Sequence, residues 1–181
     1  MSNKLRDPAL PTAGLRALLA HPGLVRPYLR TQWRRTFGLN VSQLSDMLYV
    51  GGQFHATRWP ALRALGIRAV LSLQAERADS FVGEPPERTL RLLVPDFHAP
   101  TIEQLREAVG FIAEAHAAEL PVLVHCHAGV GRASLTASAF LVAQGQGHRE
   151  AFHAVRLARP IVALNRRQLS RLVEWEQLVR A

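Results

Sequence analysis

The feature that most constrains this chain is a short apolar run followed at once by small residues. Pro121 to His125 reads PVLVH, a β-branched stretch with no polar alternation, and residues 132–144 continue as a mostly apolar, small-residue helix ending near Gly145 and Gly147. A strand apolar on both faces is buried on both faces, which is the habit of a parallel sheet covered by helices. The rest of the chain alternates in the same sense. Leu48–Val50 is a short strand closed by Gly51-Gly52. Residues 57–65 read as a short helix, Ile67–Leu73 as a strand, 74–88 as a polar loop turning at Pro85-Pro86, and Leu90–Val94 as a further strand. Thr101 with Gln104 forms a capping box ahead of a helix whose apolar face is Ile102, Leu105, Val109 and Ile112. Residues 148–158 and 165–180 are two more amphipathic helices. The expected fold is therefore α/β: a single central, mostly parallel sheet flanked by helices in three layers. Chemistry in such a fold collects at the carboxyl ends of the strands.

Composition narrows the class. The chain has 181 residues, 11 Pro and 12 Gly without tracts, and one cysteine, Cys126. Intramolecular disulfides and multi-cysteine metal sites are thereby excluded, and a single thiol suits a reducing compartment. No apolar run reaches the roughly 18 residues of a membrane span. The stretch Leu15–Leu19 is cut short by Pro22-Gly23, so a cleaved secretory signal is not expected, and the reading is cytoplasmic. The net charge is +8, and all basic residues but Lys4 are arginines. An arginine bias alone can reflect a GC-rich genome. Its distribution says more: residues 1–38 hold seven basic residues against Asp7, a net +6, and the remainder only +2. Two units are expected, a basic N-terminal arm (1–38) and a folded domain (39–181). In the arm, Arg26, Arg30 and Arg34 form one helical stripe opposite Tyr28, Leu29, Trp33 and Phe37. Such a segment either packs on its own domain or meets an anionic membrane surface or an acidic partner. Nucleic-acid binding would rest on net charge alone, with no recognisable module.

The lone cysteine lies where the topology points, in HCHAGVGRAS between the buried strand and the small-residue helix. Ala128, Gly129 and Gly131 carry little bulk, so successive N–H groups can turn inward as a nest for a tetrahedral anion. The following helix adds its N-terminal dipole, and Arg132 can clamp two anion oxygens. The same field favours the thiolate of Cys126. A nucleophile inside an oxyanion cradle suits phosphoryl transfer through a phosphocysteine.

HCxxGxxR resembles the signature of the cysteine-dependent protein tyrosine phosphatase superfamily, and the chain is most similar to its small, atypical dual-specificity phosphatases. LYVGGQF (48–54), LGIRAVLSLQAE (65–76), VPDFHAPT (94–101) and RPIVALNRRQ (159–168) extend the resemblance over about residues 40–180. It implies Cys126 as nucleophile, Arg132 as phosphate clamp and Asp96 as general acid. It further implies a phosphate-binding loop of His127, Ala128, Gly129, Val130 and Gly131, with His125 and Gln168 in support. A carboxyl on a mobile loop can protonate the departing oxygen, and Asp96 is bracketed by Pro95 and Pro100. No cofactor is implied. A metal set of His98, His125 and His127 would have no role in a thiolate cup. The implied substrates are phosphorylated proteins, with phosphoinositides, inositol phosphates or other small phosphate esters as the alternative. The loop lacks the lysines that often accompany phosphoinositide specificity.

The chain departs from the pattern at Ala133, where the family usually has Ser or Thr, and one helix position is about 100° of rotation, so Ser134 does not substitute. A rhodanese-like sulfurtransferase or arsenate reductase would also use a cysteine in an anion loop, but the former has no use for an acid loop and the latter needs further cysteines. A phosphate-binding protein without activity would be marked by loss of Cys126, Arg132 or Asp96, and all three are present.

Overall fold

The computed structural model describes residues 38–181, together with Leu29 alone in the preceding segment. The expected arm and its arginine stripe otherwise lie outside the described residues. Five strands form one sheet: β1 (Val41–Ser45), β2 (Leu48–Gly52), β3 (Ala69–Ser72), β4 (Arg88–Arg91) and β5 (Val122–Cys126). Their spatial order is β1-β2-β5-β3-β4, with β1 antiparallel to β2 and the other three pairings parallel. The helices are α1 (Trp59–Ala64), entered through a 3₁₀ turn at Ala56–Arg58, α2 (Ile102–Ala117), α3 (Arg132–Ala143), α4 (His148–Ala158) and α5 (Arg166–Arg180).

The apolar run behaves as its composition dictates. All five residues of β5 are buried, and the strand lies at the centre between β2 and β3. One face of the sheet packs on α2, α3 and α4 through a core that includes Leu48, Val50, Leu71, Val124, Leu105, Ile112 and Leu135. Trp175 brings α5 into the same core and donates from Nε1 to Ala139 O at 2.9 Å. Ten of the twelve residues of α3 are buried, which requires side chains as small as Ala133, Ser134, Ala137 and Ala139 so that α2, α4 and α5 can close around it. The opposite face is covered by a smaller cluster, Val41, Tyr49, Val70 and Leu123 against Trp59, Leu62 and Ile67. The capping box at Thr101 and Gln104 is formed in both directions.

One strand has no counterpart in the sequence reading, β1, and one expected strand is shifted. The two apolar residues of β1, Val41 and Leu44, lie three apart and pack on opposite faces, and a bulge interrupts its register between Gln43 and Ser45, so no alternation is visible. The strand expected at Leu90–Val94 pairs instead over Arg88–Arg91. Its partner β3 ends at Ser72, and the buried Leu92 and Val94 run beyond the ladder toward the carboxyl ends of the strands.

Candidate active site

Cys126 ends β5, almost fully buried, and residues 127–131 loop from it into α3. Every carbonyl of that loop is held from outside. His127 O accepts from Gln53 N at 2.9 Å, Val130 O from Ala163 N at 3.3 Å and Gly131 O from Leu135 N at 2.8 Å. The buried Arg159 takes the other two, Gly129 O through Nε at 2.6 Å and Ala128 O through Nη2 at 3.1 Å. In a planar trans peptide the N–H points opposite to the C=O. The amides of Ala128, Gly129, Val130, Gly131 and Arg132 therefore face the inside of the loop. Gly129 is required twice over: its φ is +67°, and a Cβ there would sit 2.4 Å from the backbone of Gly51.

Arg132 closes the cup from the first turn of α3 and is itself buried. Its Nη1 donates to Val94 O (2.6 Å), Leu73 O (3.2 Å) and the Glu76 carboxylate (2.9 and 3.1 Å). This fixes the guanidinium by one edge. Nε has no hydrogen-bond partner among the described residues, and Nη2 lies 3.0 Å from Asp96 Oδ1 without hydrogen-bond alignment. The free edge is the one a bidentate oxyanion would take. Glu76 is partly desolvated, which pushes its carboxyl up, but the hydrogen bond and charge of Arg132 outweigh this and hold it below the ordinary glutamate value.

Asp96 sits in the loop between Pro95 and Pro100, half exposed beside Arg132. Its backbone N–H donates to Glu76 Oε1 at 2.7 Å, so one carboxylate ties the acid loop to the clamp. Phe97 follows with φ +60° and its ring exposed, and its N–H donates to Asp96 Oδ1 at 3.0 Å. The far side of this loop is held by α5. Asn165 Nδ2 donates to Phe97 O at 2.8 Å and Gln168 Nε2 to His98 O at 3.1 Å, the same two residues that form the capping box of α5. Gln168 also lies against Gly131, where a Cβ would come within 2.8 Å of its amide.

The three histidines considered together point to different partners. His125 is fully buried, with Nε2 2.8 Å from Asp79 Oδ2 and its ring 5.2 Å from that of Phe54. His127 is exposed, with Nδ1 3.0 Å from Gln53 Oε1, and His98 Nδ1 lies 2.9 Å from Asp96 O.

The family model for the dual specificity phosphatase catalytic domain matches residues 48–178. The chain belongs to this family. Human dual specificity protein phosphatase 12 is 34% identical over 122 residues, covering 65% of this chain and 36% of that protein. Mouse dual specificity protein phosphatase 1 is 31% identical over 141 residues, covering 77% and 38% respectively. The chain thus spans less than two-fifths of the length of these curated relatives. Among solved structures, human DUSP28 superposes with a TM-score of 0.71 at 22% identity, covering 78% of this chain and 96% of that one. PTPMT1 in complex with PI(5)P gives 0.71 at 20% identity, with 78% and 97% covered. These two likenesses bear on the fold, the mixed five-stranded sheet flanked by helices.

In this dual-specificity phosphatase domain the expected residues Cys126, Arg132, Asp96, Gln168 and the loop 127–131 come together around one cup, with His125 behind it. Sequence reasoning singled out no role for Glu76, Asp79, Arg159 or Asn165. Arg159 and Glu76 lay in segments already similar to the family, and a charged residue opening the apolar run RPIVAL is a signal for Arg159. Asp79 stood in a polar loop among other polar residues and gave no signal.

Proposed function

We propose that the domain hydrolyses phosphate monoesters through a phosphocysteine intermediate at Cys126, with phosphotyrosine and phosphoserine or phosphothreonine in proteins as substrates. The observation that carries this reading is the combination of inward-facing loop amides, a buried thiol at the start of the same loop, and the Nε–Nη2 edge of Arg132, which makes no hydrogen bond and is approached only by the Asp96 carboxylate among the described residues. The incoming phosphate takes that edge and displaces Asp96 from Nη2, and the released carboxylate takes up a proton from solvent to become the acid. Cys126 Sγ then attacks phosphorus, the P–O ester bond breaks, and Asp96 gives its proton to the departing oxygen. In the second half Asp96 takes a proton from water as the water oxygen attacks phosphorus. The P–S bond breaks, inorganic phosphate leaves, and the thiolate is restored. The loop from His127 to Gly131 holds the three non-bridging oxygens through the amides of Ala128 to Arg132, and Gln168, bonded to the acid loop, keeps Asp96 over the cup.

A second reading, a phosphoinositide or inositol-phosphate phosphatase, draws support from charge: the +6 of residues 1–38 and the exposed Arg166 and Arg167 next to Asn165 and Gln168. A reducing, cytoplasmic setting would keep Cys126 as the thiol. Among the described residues no helix is long and apolar enough to cross a membrane. The test is phosphate release from phosphotyrosine and phosphothreonine peptides, phosphoinositides and inositol phosphates, with Cys126→Ser as the blank. Turnover of the peptides is expected. Preference for lipid or inositol substrates would transfer the proposal to the second reading, and wild type no better than the blank on every substrate would sink the enzyme reading.

A further inference from the structure

Resting on the phosphatase reading, we infer that Asp79 is a positioning residue for the nucleophile. It acts through His125, whose proton it fixes at Nε2 and whose ring it locks behind Cys126.

The loop between β3 and β4 carries two carboxylates that reach opposite ends of the cup. Glu76 grips Arg132, after the cup, and Asp79 grips His125, before it. An ionised carboxylate only accepts hydrogen bonds, so the 2.8 Å contact to Asp79 Oδ2 places a proton on His125 Nε2. Nδ1 is buried and has no hydrogen-bond partner among the described residues. A proton on Nδ1 would be a buried donor with nothing among the described residues to receive it, so the Nε2–H tautomer is the one the site satisfies.

The acceptor is itself held in place. Two residues beyond Asp79, Phe81 packs on Trp59 (5.0 Å) and Phe54 (6.1 Å), and Phe54 in turn packs on the His125 ring. Farther along, Trp59 Nε1 donates to Glu84 O at 2.7 Å and Arg63 Nη1 to Pro85 O at 3.0 Å. The loop is thus pinned on both sides of Asp79, by Glu76 and by this aromatic cluster. An acceptor on a fixed loop can orient a ring, whereas one on a free loop would follow it.

His125 is the residue through which this reaches the chemistry. It pairs with Gly51 of β2 and Ser72 of β3, and its carbonyl accepts from Leu73 N at 2.9 Å. Its backbone is therefore set by the sheet, and its one remaining freedom is rotation of its own ring, which packs on Phe54 on the sheet face opposite Cys126 and is linked to the nucleophile through the shared peptide. Phosphate affinity is carried elsewhere, by Arg132 with Glu76 and by the loop amides with Arg159. The two carboxylates accordingly divide the work: Glu76 supports binding, and Asp79 supports attack.

The test compares Asp79→Ala with Asp79→Asn in the full chain. Asparagine can still accept from Nε2–H through its Oδ1, whereas alanine cannot. Three readouts are made: kcat on phenyl phosphate with the competitive inhibition constant of inorganic phosphate, the rate of iodoacetamide alkylation of Cys126, and the ¹⁵N signals of the His125 ring. Because Cys126 is the only cysteine, alkylation reports that thiol alone. The alanine variant should lose about tenfold or more in kcat. Alkylation should slow in parallel, inorganic phosphate should bind as before, and the ring should lose its protonated-Nε2, bare-Nδ1 pattern. Asparagine should restore most of each. Wild-type kcat in the alanine variant would overturn the inference. So would a proportional loss of phosphate binding, which marks a general loosening, or an asparagine variant as impaired as alanine. If wild type releases no phosphate from any substrate, the phosphatase reading fails by itself. Alkylation and the ¹⁵N pattern then still decide the role of Asp79.

Discussion

Ala133 is fully buried in the first turn of α3, at the position where the resemblance calls for a hydroxyl near the thiolate. The neighbouring hydroxyl does not take over, since Ser134 Oγ points to Gly129 O at 3.4 Å and serves the outer wall of the cup. In the proposed mechanism, attack by Cys126 needs the amides and Arg132, which are intact, whereas departure of the thiolate in the second half-reaction lacks one donor. A hydrogen bond to a charged group is worth about 1.5–3 kcal/mol, or roughly tenfold or more in rate. Rapid-quench kinetics should therefore show a burst of one equivalent followed by a slow steady state. Ala133→Ser should raise the steady-state rate about tenfold and shrink the burst. A linear time course from the start would contradict this. At this scale the sequence displayed the residues that a substrate would touch, because nucleophile, glycines and arginine are contiguous from Cys126 to Arg132. It did not display those that aim them. Glu76, Asp79 and Arg159 reach the cup from 30 to 56 positions away, and only the folded chain brings them there.

The elements behind the cup are joined by one polar lock. Gly147, the N-cap of α4, offers no side chain, and Glu176 of α5 fills the gap by accepting from His148 N at 3.3 Å while pairing with the His148 ring. Arg180 adds an ion pair at 2.9 Å from the next turn of α5. The hydrogen bond from the His148 ring is the main reason the Glu176 carboxyl is held below its ordinary value; burial opposes it as the next largest effect, and the His148 N–H and the charges of His148 and Arg180 add to the lowering. A carboxyl whose folded-state pKa is depressed contributes stability that is complete above its unfolded value and is lost as pH falls through the folded one. Glu176→Gln should thus lower the melting temperature at pH 7, and the gap to wild type should close on titrating below the ordinary glutamate value. Thermal melts from pH 7 to pH 3 check this, and a gap constant across that range would refute it. The lock was not visible in the chain, although helices 148–158 and 165–180 were. Periodicity shows a helix wherever one face is apolar, as in α2 with Ile102, Leu105 and Ile112, but it is silent about polar contacts between helices. The same blindness hid β1, whose bulge and opposite-facing Val41 and Leu44 leave no period to read.

Taken whole, the molecule brings its chemistry to one rim because β2, β3 and β5 run parallel and end together. Gly52 and Gln53 support the loop, Leu73 and Glu76 hold Arg132, and Cys126 supplies the thiol. α5 closes the rim from above through Asn165 and Gln168, and sets Arg166 and Arg167 beside it as exposed cations. These contacts are all made within residues 40–181, and the surplus of positive charge in residues 1–38 is the largest asymmetry in the chain. We propose that catalysis and the arm are separable at a boundary near residue 38. A chain starting at residue 38 should turn over phenyl phosphate with the kcat of the full chain. The full chain should sediment with phosphatidylserine vesicles and lose that binding as salt rises, because attraction between exposed charges is screened over about 10 Å at 0.1 M ionic strength. The shortened chain should stay in the supernatant. If it sediments equally well, the anion-binding surface belongs to the domain itself, with Arg166 and Arg167 at the rim as its first members to mutate. If it loses phenyl phosphate turnover instead, the arm is part of the catalytic unit and the boundary is wrong.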